Sequence, residues 1–237
     1  MSHQIAPVPS EEPGDNIANI ARAIDLALVE AGKADISETV EIIAISKKHS
    51  VASIERALAA GHRSFGENRV QEAQEKWPAL KAKYPDVTLH LVGPLQSNKA
   101  ADAIALFDVI HTIDRMKIAK AVAAESEKQG RFLRSLIQVN TGEEPQKSGI
   151  PPQEIEKFIS DLKNDLSMKI EGLMCIPPIN EPPAPHFALL AKFANRYGLK
   201  HLSMGMSSDY EVAAQLGATM VRVGTAVFGK RPEKQGL

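Results

Sequence analysis

The sequence predicts a single α/β domain, a TIM-type (β/α)8 barrel with an additional N-terminal helix, and three observations carry that prediction. Eight strand-like runs follow one another along the chain, and helical patterns fill the seven gaps between them. The length, 237 residues, is one at which such a barrel is ordinary. An open doubly wound sheet would need the same alternation. It is disfavoured because no G-x-G-x-x-G follows the first strand and no linker or shift of composition marks a boundary.

In chain order, residues 1–15 read as a flexible polar segment and residues 16–237 as the barrel domain. The lead-in lacks the apolar stretch of a signal peptide, and Glu11, Glu12 and Asp15 argue against a transit peptide. Over 16–33 the apolar residues Ile17, Ile20, Ala21, Ile24, Leu26, Ala27 and Leu28 fall at helical spacing, predicting an amphipathic helix ahead of the barrel. Strands are expected at 39–46, 63–66, 87–92, 108–112, 133–139, 169–174, 199–203 and 219–223, where apolar and β-branched residues cluster. Helices are expected at 51–60, 70–83, 99–106, 115–129, 152–162, 184–196 and 209–216.

Charge excludes some partners. With 28 Lys and Arg against 29 Asp and Glu, the net charge of −1 supplies no field to draw nucleic acid or an anionic membrane surface. No run approaches the ~18 apolar residues of a membrane span. A lone Cys175 makes neither an internal disulfide nor a Cys-based zinc site, so a reducing, cytoplasmic setting is expected, with the protein a monomer.

A barrel concentrates its chemistry at the C-terminal strand ends and the loops after them. Lys47 follows Ile42, Ile43, Ala44 and Ile45 to such an end, where partial desolvation turns an amine into a nucleophile; the plainer alternative is a solvated lysine capping the strand. Arg222 interrupts Met220, Val221 and Val223 in the last strand. A buried guanidinium costs several kcal/mol unless a polar group pairs with it, so either it serves a ligand or it pairs with an acid such as Glu41 or Glu171. Ser208-Asp209-Tyr210-Glu211 matches a capping box that starts a helix at Ser208; with Gly205 and Ser207 before it and Gly224-Thr225 after strand eight, it predicts an anion cradle. A Schiff-base lysine, a partner for a ring nitrogen and a phosphate pocket together point to pyridoxal 5′-phosphate (PLP).

The sequence also resembles the pyridoxal phosphate homeostasis proteins. The resemblance rests on Ala44-Ile45-Ser46-Lys47, Phe65-Gly66-Glu67-Asn68, the run from His90 through Gly93-Pro94-Leu95-Gln96-Ser97-Asn98 to Lys99, Gly172-Leu173-Met174, and Leu202-Ser203-Met204-Gly205-Met206-Ser207-Ser208-Asp209, in the family's order. It implies a barrel like the N-terminal half of the fold-type III enzymes typified by alanine racemase. Lys47 is then the cofactor lysine, Arg222 meets the pyridine nitrogen, Ser207, Gly224 and Thr225 hold the phosphate, and Asn68 lies near the ring. Met204 is counted with these cofactor-binding residues. Lys48-His49-Ser50 depart from the Thr-Lys-Pro that often follows the family's lysine. Lys147 matches another family lysine, with a solvated loop lysine as the alternative.

His90, His111 and His201 lie in strand runs but form no H-x-H pair on the first strand and no H-E-x-x-H, so they read as core residues rather than metal ligands. Met174 and Cys175 read as packing, and the aromatic residues supply no stacking platform for nucleic acid. The expected role is to hold PLP as a Schiff base and deliver it, with PLP-dependent apo-enzymes as partners and no catalytic residues. An amino-acid racemase is the alternative, and a cofactor-free Schiff-base aldolase a distant third. The short stretch after residue 224 favours the first, since racemases of this type close the site with a second domain.

Overall fold

All eight strand-like runs form parallel strands that pair in chain order, and the last returns to the first to close a barrel. The computed structural model describes residue 10 and residues 12–33 and 40–229. Its strands are β1 (Glu41–Ile45), β2 (Ser64–Glu67), β3 (Thr88–Leu91), β4 (Val109–Ile113), β5 (Arg134–Val139), β6 (Ile170–Cys175), β7 (His201–Ser203) and β8 (Met220–Val223). The helices are α1 (Pro13–Glu30), α2 (Val51–Ala59), α3 (Val70–Lys83), α4 (Ala100–Leu106), α5 (Met116–Gln129), α6 (Ile155–Leu166), α7 (Pro183–Tyr197), α8 (Tyr210–Gln215) and α9 (Thr225–Phe228).

The first helix starts earlier than its periodicity indicates. Proline at its first position needs no N–H partner and has its φ already set, so Pro13–Asp15 join α1; most of the lead-in lies outside the described residues. Ile20, Ile24 and Ala27 are buried as expected, whereas Leu26 is 66% exposed and does not belong to the packed stripe. Asn16 ties the helix to the far end of the chain through Nδ2, which donates to the Val227 carbonyl at 2.9 Å. The last helix, α9, is a single turn that the sequence pattern did not indicate.

The apolar residues form two layers. The larger lies between strands and helices and includes Phe65, Trp77, Leu89, Leu91, Phe107 and Phe187. The smaller fills the barrel itself with Ile43, Ile45, Val92, Val109, Leu136 and Met220. Each such aliphatic side chain contributes about 1.5–3 kcal/mol by burial. Glycine at 66 admits this filling, because a Cβ there would lie 2.5 Å from Ile45 Cδ1. Among the described residues no helix is long and apolar enough to cross a membrane.

Candidate functional site

Lys47 sits, half-buried, in the turn directly after β1, and charged groups from β2 and α3 fix the residues on either side of it. Ser46 is wholly buried; its N–H donates to the Gly66 carbonyl and its hydroxyl to Glu67 Oε1 at 2.7 Å. Lys76 Nζ donates to the Ser46 carbonyl at 3.0 Å and lies 2.7 Å from Glu67 Oε1 and 2.9 Å from Glu72 Oε1. Glu72 accepts the N–H of Lys48, whose φ of 63° is left-handed. Burial pushes the Glu67 carboxyl above its ordinary pKa, only partly offset by Lys76, Ser46 and Trp77. The side chain after this turn, His49, is buried against Phe228 with ring centroids 4.8 Å apart.

Arg222 is the next-to-last residue of β8 and is paired in register with Ile43. It is 5% exposed, and its guanidinium donates to Ser203 Oγ at 2.6 Å and to the Cys175 carbonyl at 2.8 Å. Both acceptors are the last residues of their strands, so the guanidinium lies at the C-terminal end of the barrel. Neither acid named as its alternative partner reaches it. Glu41 accepts from Ser64 and pairs with His90, and Glu171 pairs with Lys169. Burial lowers the Arg222 pKa from its usual height, yet a guanidinium remains charged at any ordinary pH. Among the described residues two of its five N–H donors are engaged, leaving a buried cation with spare donors at the mouth, on which the Asp209 carboxylate acts through charge.

The anion cradle is assembled differently from the capping-box expectation. The helix starts at Tyr210, not Ser208, because Asp209 Oδ1 turns back to accept the Met206 N–H at 2.6 Å and closes a turn over 206–209. Gly205 enters that turn at φ 90°, and a Cβ on it would meet Ala213 Cβ at 2.5 Å. Ser207 Oγ accepts the Ala226 N–H at 3.5 Å, which brings Ser207 beside Gly224-Thr225. The Gly224 turn packs on β1, since a Cβ there would stand 3.5 Å from the Ile45 carbonyl oxygen. Strand closure therefore gathers the loops carrying Ser207, Gly224, Thr225 and Lys47 at one end, with Arg222 below them. Hydroxyls, a tight glycine turn and a guanidinium with no direct carboxylate bond suit a phosphorylated, nitrogen-containing ring.

Met204 stands apart. Its side chain is completely buried in the layer between strands and helices, because it alternates outward from Ser203, so it does not face the site. Asn68, after β2, borders an adjoining cleft of about 850 Å³ that also takes in Arg69, Gln96, Lys99 and Arg115. Lys147 is not simply solvated: it pairs with Glu144 and donates to the Pro177 carbonyl at 3.4 Å. Among the described residues no group of three or more His, Cys, Asp or Glu is placed to hold a metal. Sequence reasoning missed Ser203, Glu67 and Lys76. The alternation of β7 carried a signal for Ser203, which falls on the inward face that Arg222 shares across the β7–β8 pair.

The closed parallel barrel places the chain in the class of the alanine racemase N-terminal domain, whose family model matches residues 26–232. A relative from Vibrio cholerae, named pyridoxal phosphate homeostasis protein, is 41% identical over 91% of this chain and 95% of its own. The chain belongs to the pyridoxal phosphate homeostasis protein family. The structure of PipY from Synechococcus elongatus with PLP bound superposes with a TM-score of 0.77 at 35% identity, covering 92% of this chain and 100% of that one. An alanine racemase from Clostridium difficile shares the fold, with a TM-score of 0.69 at 14% identity over 96% of this chain and 58% of that chain.

Proposed function

We propose that this chain binds PLP through Lys47 and takes part in PLP homeostasis inside the cytoplasm, passing the cofactor to apo-enzymes without a substrate of its own. The observation that carries this reading is the buried Arg222 guanidinium at the strand ends, which among the described residues bonds to a hydroxyl and a carbonyl, with the Asp209 carboxylate acting on it through charge and no direct ion pair. PLP in the homologous PipY barrel supports it. When bound, the cofactor supplies an aldehyde that condenses with a primary amine. Lys47 offers that amine, held in place through Ser46 and Lys48. Arg222 donates to the ring nitrogen and, having no proton it readily yields, keeps that nitrogen unprotonated. Ser207, Thr225 and the Gly224 backbone take the phosphate, and Asn68 borders the ring. We assign these roles to one barrel domain, residues 16–237, acting as a monomer.

Absorbance of the purified protein before and after borohydride reduction, followed by peptide mapping, tests cofactor, linkage and residue together. The expected result is one reduced adduct on Lys47 that is lost in Lys47→Ala. An adduct on Lys48 or Lys147 overturns the assignment, and a protein that takes up no PLP overturns the function.

A further inference from the structure

We propose that Glu41, Ser64, His90, His111 and Ser203 form one hydrogen-bonded chain of fixed direction along the barrel axis, which positions Arg222 for the cofactor; this rests on the placement of Arg222 proposed above. The chain starts at the N-terminal strand ends, where Ser64 Oγ donates to Glu41 Oε1 at 2.7 Å. His90 Nε2 lies 3.1 Å from Ser64 Oγ and 3.3 Å from Glu41 Oε1. His90 Nδ1 meets His111 Nε2 at 2.9 Å, and His111 Nδ1 meets Ser203 Oγ at 2.8 Å, the same oxygen that accepts from Arg222. Both histidines and Ser203 are completely buried.

The Arg222 end sets the direction, and the Glu41 end agrees with it. Arg222 only donates, so Ser203 accepts from it and spends its own hydrogen on His111 Nδ1. His111 is then protonated at Nε2 and donates to His90 Nδ1, which puts the His90 hydrogen on Nε2, facing Ser64 and Glu41. From the other end, the Glu41 carboxylate only accepts, which demands that same Nε2–H. With the opposite tautomer of His111, Ser203 would face two donors, and among the described residues no other acceptor lies within bonding distance of its hydrogen. His111 stays neutral because burial, with His90, Arg222, Arg134 and His201 around it, drives its pKa well below the usual value. The chain conducts no proton, since the guanidinium at its upper end releases none. Its effect is positional: Ser203 Oγ is held with a lone pair toward Arg222.

The test uses cofactor-free protein labelled with 15N-histidine, read by long-range 1H–15N correlation, with His90→Gln and His111→Gln providing assignments. Both residues are expected to carry a hydrogen on Nε2 and none on Nδ1, and Ser203→Ala is expected to shift the His111 Nδ1 resonance. In loaded protein, Ser203→Ala should weaken PLP binding roughly tenfold and move the absorbance band, with Ser203→Thr restoring both. An Nδ1–H tautomer or a doubly protonated His111 overturns the chain. Expected tautomers with PLP binding altered by Arg222→Ala but not by Ser203→Ala overturn the positioning role. Expected tautomers with PLP binding indifferent to both variants overturn the placement of the cofactor on Arg222, and with it the proposed function of the chain of bonds.

Discussion

The Ser46 hydroxyl donates to Glu67 Oε1 at 2.7 Å, so a carboxylate on β2 grips the residue immediately before Lys47. The same oxygen takes Trp77 Nε1 at 3.1 Å and Lys76 Nζ at 2.7 Å. Glu67→Ala takes from Lys76, whose side chain is only 10% exposed, one of its two carboxylates, leaves Trp77 Nε1 without its acceptor, and leaves the Ser46 hydroxyl only the Gly66 carbonyl at 3.4 Å. Breaking a buried pair in this way costs about 3–5 kcal/mol. For a protein of this size that lowers the unfolding temperature by roughly 6–20 °C. The double variant Glu67→Met/Lys76→Met, which removes both charges, should recover part of the loss. Thermal unfolding of the three proteins decides the matter, and a loss below about 1 kcal/mol in Glu67→Ala would show the pair to be incidental.

The proposed phosphate cradle predicts discrimination between vitamers. Hydrogen bonds to a charged oxygen are worth about 1.5–3 kcal/mol each, so Ser207→Ala and Thr225→Val should each weaken PLP binding by roughly ten- to a hundredfold. Pyridoxal, which lacks the phosphate, should bind far more weakly than PLP and be nearly indifferent to both substitutions. Titrations of the two vitamers against the three proteins give the comparison; equal affinities would remove the cradle.

The barrel was legible because its signals are local. Each strand announces itself by a short apolar run and each helix by its spacing, and all eight strands fall within a residue or two of where those patterns end. Lys47 and Arg222 were legible for a related reason, since a charge set in or after an apolar strand contradicts its surroundings. The bonds among them were not. Glu67 reads as an ordinary strand-end acid until α3 brings Lys76 to it, and Ser203 reads as a small strand residue until closure of β7 on β8 sets it under Arg222. The start of α8 failed because Asp209 bonds backward to Met206 where the sequence motif offered Ser208 as the cap. Each of these depends on residues far apart in the chain or on a choice between two competing local bonds.

Acid sensitivity should be traceable to Glu41. Burial works to raise its pKa, but bonds from His90 and Ser64, with Arg134 nearby, more than offset it and hold the carboxyl at about 2 against an ordinary 4.5. The folded state thus binds fewer protons than the unfolded state between those values. The stabilisation is complete above pH 4.5 and is lost as the pH falls toward 2. Each unit is worth roughly 1.4 kcal/mol; because the side chain stays 31% exposed, about 1–2 kcal/mol in total is the reasonable expectation. Chemical unfolding of the parent protein and Glu41→Gln from pH 7 to pH 3 should give curves that converge as the pH drops. Parallel curves would show that the carboxylate carries no such linkage.

Racemisation is expected to be absent. Inverting an amino acid at Cα requires a base on one face to remove the proton and an acid on the other to return one, both within hydrogen-bond reach. In the proposed role Lys47 would serve one face. The usual phenolic acid for the other has no candidate among the tyrosines: Tyr84 caps the end of α3 with its ring against Arg63, which precedes β2 at the opposite end of the barrel. Tyr197 ends α7 with its hydroxyl 3.5 Å from Glu156 on the outer surface. Tyr210 opens α8 directly after the turn over 206–209, next to the proposed phosphate site. Incubating the PLP-loaded protein with L-alanine in D₂O should therefore yield neither D-alanine nor Cα deuteration above that of free PLP. Steady formation of D-alanine that vanishes in Lys47→Ala would replace the carrier reading with an enzyme.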